Sequence, residues 1–228
     1  MGENNKVLPK INRKSAISKL GGIKAREISK RRAVIVAALN KAIEIFTSND
    51  EESFDEVMTK GICTIADAVG LDRVIIYGLL EQENNRCFGQ IYRWDKLKGG
   101  LTFPDVELKI IPNIPVLKRW ISVISKSGCV RIRESDYSED EAAFLRVYGV
   151  KSIILMPIFT RGEVWGAVAF QDQKNDQYFD EGCADLLHSA ARLFANAIFR
   201  AKMTNSAGKA IEALKRREQM ADTLNRVA

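Results

Sequence analysis

The chain has one histidine, His188, among 228 residues, and its four cysteines (Cys63, Cys87, Cys129, Cys183) include no Cys-x-x-Cys pair. A zinc cluster needs several such ligands close together, so this composition argues against one, and scattered thiols fit a reduced, cytoplasmic protein. Apolar runs are short: Val34 to Leu39 and Ile153 to Phe159 are among the longest, well under the roughly 18–20 residues that span a bilayer. The first residues, Met1-Gly2-Glu3-Asn4-Asn5-Lys6, lack the apolar core of a signal peptide.

Positive charge is also missing from most of the chain, although the total is +6. Residues 1–32 carry ten Lys/Arg against Glu3 and Glu27, a net +8, so the remainder sums to −2. The body is therefore no general nucleic-acid binder, and no specific nucleic-acid partner is expected. The basic leader would meet RNA, DNA or an anionic membrane, or serve as a solvated linker. Gly21-Gly22 is expected to break any helix within it.

What is present is a sizeable core, with 46% hydrophobic residues. Ile35, Leu39, Ala42 and Phe46 form one helical stripe, and Phe54, Val57, Met58, Ile62, Ile65, Ala66 and Val69 a second that stops at Gly70. Val74 to Leu80 reads as a strand, followed by a second in which Phe88, Gln90, Tyr92 and Trp94 alternate with Gly89, Ile91 and Arg93. Pro115 opens a helix carrying Val116, Leu117, Trp120, Ile121 and Ile124. Val130-Arg131-Ile132 is a short strand, and Ser138 with Glu141 is a capping box for a helix ending at Gly149. Ser152 to Phe159 and Glu163 to Gln171 form a hairpin about Arg161-Gly162, with Trp165 in its core. A closing helix from about Asp180 is expected to be interrupted near Asn205-Ser206-Ala207-Gly208. This order describes an α+β fold, a central antiparallel sheet with helices on both faces and long terminal helices.

One phrase occurs twice. Lys30-Arg31-Arg32, with Leu39-Asn40 behind it, returns 185 residues later as Lys215-Arg216-Arg217 with Leu224-Asn225. Repetition at that spacing predicts a tandem array of modules. The expected organisation is a basic leader over 1–29, one globular domain over 30–203, and a connecting helix over 204–228 that starts the second repeat.

The run Ile65-Ala66-Asp67-Ala68-Val69-Gly70-Leu71-Asp72-Arg73-Val74 resembles the entry to the first strand of a GAF domain. Tyr92-Arg93-Trp94, Gly162-Glu163-Val164-Trp165-Gly166-Ala167-Val168-Ala169-Phe170 with Asp172, and Phe179, Leu186-Leu187 and Ala195-Asn196-Ala197-Ile198 fit in the same order. The leading Arg31-Arg32, Leu39-Asn40, Phe46 and Ser48-Asn49-Asp50 are similar to tandem modules ahead of bacterial histidine kinases. The resemblance implies a homodimeric sensor in two-component signal transduction, next to another GAF or output domain, with any small-molecule ligand between the sheet and two crossing helices.

Family motifs for particular chemistry are missing. No cysteine has the neighbouring histidine of many bilin-binding members. Lys174-Asn175 and Asp180-Glu181 do not reproduce the cyclic-nucleotide pattern. Cys87 and Cys129 lie in the general regions used by free methionine sulfoxide reductases, without their glycine-rich motif. The expectation is a sensor with no enzymatic activity and an unknown cofactor; a redox enzyme of that type and a structural spacer are the alternatives. Trp94 and Trp120 are candidate ligand-stacking aromatics, and Arg131 and Arg133 candidate partners for an anion. The stripes Ile35/Leu39/Ala42/Phe46 and Leu214/Ala221/Ala228 are candidate dimer seams.

Overall fold

Two helices start by the same device. The Ser53 hydroxyl accepts from the Glu56 N–H (3.4 Å) while the Glu56 carboxylate accepts from the Ser53 N–H (2.9 Å). Ser138 and Glu141 repeat it at 3.4 and 3.1 Å. Each capping box satisfies orphan N–H groups and sets a carboxylate at the positive helix end. In the computed structural model, residues 13–48, 53–82, 85–102, 114–126, 128–177 and 179–227 are described; for 13–25, 81–82, 85–86, 101–102, 205 and 207–227 the description is of the backbone alone.

Among the described residues the helices are α1 (Arg13–Thr47), α2 (Phe54–Val69), α3 (Pro115–Ile124), α4 (Glu139–Val147) and α5 (Glu181–Val227). The strands are β1 (Arg73–Gln82), β2 (Asn85–Asp95), β3 (Gly99–Thr102), β4 (Val130–Arg133), β5 (Ser152–Thr160) and β6 (Glu163–Asp172). They make one sheet in the order β3-β2-β1-β6-β5-β4, with every neighbouring pair antiparallel. Gly70 ends α2 in the left-handed region at φ 82°, and Arg161 and Gly162 (φ 53° and 85°) make the tight turn between β5 and β6.

The sheet separates two cores. On one face α1, α2 and α5 bury Ile62, Ile65, Ile76, Tyr92, Phe170 and Phe194. On the other, α3 and α4 close over Ile75, Phe88, Trp120, Leu145, Leu155 and Ala169. The Phe46 ring meets Phe194 edge-on at 5.9 Å and lies where a Cβ of Gly61 would be, so the glycine lets α1 approach α2 closely. The Arg200 guanidinium donates to the Phe46 carbonyl, tying the end of α1 to α5.

Four expectations change. Gly21-Gly22 does not break α1, and Asn205 to Gly208 does not interrupt α5. Each weak position costs at most about 1 kcal/mol in a helix, and propagation from strong formers on both sides carries the helix through. Ile35, Leu39, Ala42 and Phe46 are 1%, 7%, 0% and 5% exposed and belong to the core, so that stripe is no dimer seam. The side chains of Leu214, Ala221 and Ala228 lie outside the described residues. Trp165 is half-buried rather than enclosed: the β5–β6 register shifts at Ile158/Phe159, leaving Trp165 as the extra residue, its ring against Phe199 at 4.7 Å. Trp165→Ala is therefore expected to lower stability by about 1–2 kcal/mol, short of a fully buried aromatic. Chemical denaturation measures it; a loss above about 3 kcal/mol would place the ring in the core.

Candidate functional site

Between the sheet and the pair α3/α4 lies a cavity of about 70 Å³. Its floor is made by strands whose inward residues alternate. Arg73, Ile75 and Tyr77 come from β1, Ala169 and Gln171 from β6, and Ile153 and Leu155 from β5. Ala169, on the central strand β6, is the smallest side chain of the lining. Trp120 of α3 and Phe144 of α4 cover it, their rings edge to face at 5.9 Å.

One end is polar. Arg73 Nε and Arg93 Nε donate to the same Asp95 oxygen at 3.0 and 3.1 Å, and both arginines line the cavity. Beside them Gln90 and Gln171 are 6% and 5% exposed, and Gln171 Oε1 has no donor among the described residues. Arg73 also reaches the Tyr148 carbonyl at 3.4 Å, which links the cavity wall to the end of α4.

On the roof the Trp120 indole N–H donates to Glu141 Oε1 at 3.2 Å, and Arg119 donates to the same oxygen at 3.1 Å. Burial works to raise the Glu141 carboxyl, but the Ser138, Arg119 and Trp120 hydrogen bonds outweigh it and hold the pKa below the ordinary value. Asp95 behaves alike: burial raises it, and Arg93 and Arg73 more than offset that. Both depressed carboxyls contribute stability that is fully present above the unfolded values near pH 4 and lost as pH falls through the lower folded values. The melting temperature is expected to fall below about pH 4, with a shallower acid slope in Glu141→Gln; an identical slope would show that Glu141 carries none of the effect.

Of the four residues singled out in the sequence, Trp120 alone lines the cavity. Trp94 is 3% exposed in the opposite core. The β1–β2 register passes from Ile76↔Tyr92 to Tyr77↔Gln90, skipping Ile91. This bulge turns Tyr92 and Trp94 toward α2, while Phe88 and Gln90 face the cavity. Arg131 pairs with Ile154, whose side chain is in the terminal-helix core, so both β4 arginines lie on that face: Arg131 exposed, Arg133 half-buried with Asp136 at 2.7 Å. Arg73, Arg93, Gln90 and Gln171 were missed. Their signal was polarity inside otherwise apolar strands.

None of the four cysteines lines the cavity. Burial pushes the Cys183 thiol up to about 11 and raises Cys63, the latter aided by Asp67. Cys87 is on β2 and Cys129 adjoins β4, four strand spacings away, or about 19 Å. A disulfide needs Cα atoms within about 7 Å, so the pair is out of reach here. Lys174-Asn175 occupies a turn held by Asp172, which accepts from both backbone N–H groups at 2.8 and 2.9 Å.

The GAF domain family model matches residues 53–198, the segment that builds the whole sheet and, apart from the α1 side chains, both cores. The chain belongs to the GAF domain family. This GAF chain is 23% identical over 176 residues to the Methanogenesis regulatory histidine kinase FilI of Methanothrix harundinacea. The match takes in 77% of this chain but 20% of that protein, so the chain spans about a fifth of its relative's length. Among solved structures, a red/green cyanobacteriochrome in its red-light-absorbing state aligns at TM-score 0.52 and 14% identity, over 67% of this chain and 98% of that one. A far-red-absorbing dark state with bound biliverdin IXα aligns at 0.51 and 18%, over 72% and 99%. At such identities the likeness is one of fold. No helix among the described residues is long and apolar enough to cross a membrane.

Proposed function

We propose that this GAF domain is the regulatory sensor module of a cytoplasmic signalling protein, a sensor histidine kinase or similar. A small molecule in the cavity biases an output domain through α1 and α5. The observation that carries the reading is that cavity and terminal helices share strands. On β6, Ala169 and Gln171 face the cavity while Phe170, between them, packs on Phe194 of α5 at 6.2 Å. A ligand that displaces β6 therefore moves the contact that seats α5, and its differential affinity for the two packings sets the bias. The paired Lys-Arg-Arg phrases lie in α1 and α5, which supports a domain over 30–203 followed by a connecting helix that begins a second repeat.

The module acts as a homodimer. With Ile35 and its stripe inside, the seam falls to Val36 and Ile43 of α1 (40% and 41% exposed, one heptad apart) and Met203 of α5 (73%). Ile43 and Met203 also line a shallow groove between α1 and α5, where a second copy would seat. Sedimentation of the wild type at tens of micromolar should give a dimer, and Ile43→Glu with Met203→Glu a folded monomer. A monomeric wild type would overturn the dimer. Native mass spectrometry of freshly purified protein tests the sensor reading: a retained small molecule, lost in the cavity-filling Ala169→Leu, is the expected result.

A further inference from the structure

Resting on the reading that the cavity takes a small molecule, we infer that its ligand is a single-ring planar carboxylic acid carrying a neutral N–H or O–H donor beside the carboxylate. Size comes first. A volume of 70 Å³, at about 10–15 Å³ per water, admits about five to seven waters, enough for one ring and too little for a tetrapyrrole. The other lining is apolar, with Trp120, Phe144, Leu155 and Ala169, and suits the face of an aromatic ring.

Charge selects the anion. Arg73 and Arg93 share the single carboxylate of Asp95, leaving one positive charge in excess at the polar end. On the roof, Glu141 and Asp140 share Arg119, and none of the three lines the cavity. A ligand carboxylate supplies the missing negative charge, and guanidinium is well suited to receive it. The position of the donor follows from register. Gln171 is the cross-strand partner of Arg73, so its unpaired Oε1 lies next to the site of the anion. A buried acceptor without a donor is costly, and a neutral N–H or O–H adjacent to the carboxylate removes the cost. An ammonium there would add a third cation beside two arginines, which disfavours α-amino acids.

Isosteric probes test this by calorimetry on the full chain. Pyrrole-2-carboxylate has the ring N–H beside the carboxylate; furan-2-carboxylate replaces that donor with an oxygen, and pyrrole-2-carboxamide removes the charge. The first should bind roughly 10-fold tighter than either of the others. Gln171→Leu should erase the preference for pyrrole over furan acid while leaving the melting temperature within a few degrees. Equal binding of the two acids, or tighter binding of the carboxamide, overturns the ligand class while binding lost in Ala169→Leu keeps the sensor reading. No heat from any probe, together with no retained molecule in native mass spectrometry, overturns both.

Discussion

Phe194→Ala is expected to cost about 3–5 kcal/mol, the range for emptying a fully enclosed aromatic site. Phe194 is 0% exposed and touches two further rings, Phe46 of α1 at 5.9 Å and Phe170 of β6 at 6.2 Å. Truncation therefore leaves a void where two helices and the sheet meet, and none of the three can close it without losing its other contacts. Thermal or denaturant melts should show a fall of roughly 6–20 °C at 2–4 °C per kcal/mol for a chain of this size. A fall of under about 1 kcal/mol would mean that the core relaxes around the gap and that α5 is more loosely seated than its burial indicates.

Gly166→Val should be more severe and should yield little soluble protein. Gly166 is buried on β6 opposite Gly78 of β1, and a Cβ there would run into the Tyr77 carbonyl oxygen of the neighbouring backbone. A flexible side chain can swing away from such a clash, but a carbonyl within a sheet ladder cannot, so β1 and β6 would have to separate. They are the two central strands of the sheet. A well-folded Gly166→Val protein with wild-type melting would show that the bulge beside Trp165 absorbs the strain.

Five of the six strands were legible because they are dense in β-branched and aromatic residues and end in turn residues; β3, Gly99–Thr102, reads as a loop because it opens on two glycines. The Ser138–Glu141 box, the Pro115 start and the Gly70 stop act within a few residues, and all three stand where the sequence put them. Which way Trp94 points was not legible. One unpaired residue, Ile91, reverses the alternation along β2, and nothing in its side chain announces the bulge. The four-residue strand with Arg131 and Arg133 could be read as alternating, but not which core each side faced, because that depends on pairing with β5. Gln90 and Gln171 are some eighty residues apart, and only the β2-β1-β6 order brings them to one end of one cavity. The persistence of α1 and α5 through their weak formers reflects the cooperativity of whole helices, which a reading of local propensity underestimates.

The unbroken course of α5 gives it a phase as well as a length. Its last buried side chain among the described residues is Ile198, and the helix runs on to Val227, a further 40 Å or so at about 1.5 Å per residue. Every residue added within that span rotates whatever lies beyond it by about 100°. A two-residue insertion near Gly208 would turn the far end almost to the opposite side. A seven-residue insertion would return it to within about 20° of its starting direction and move it about 10 Å outward. The direction in which the far end of α5 points is thus a matter of counting residues by sevens.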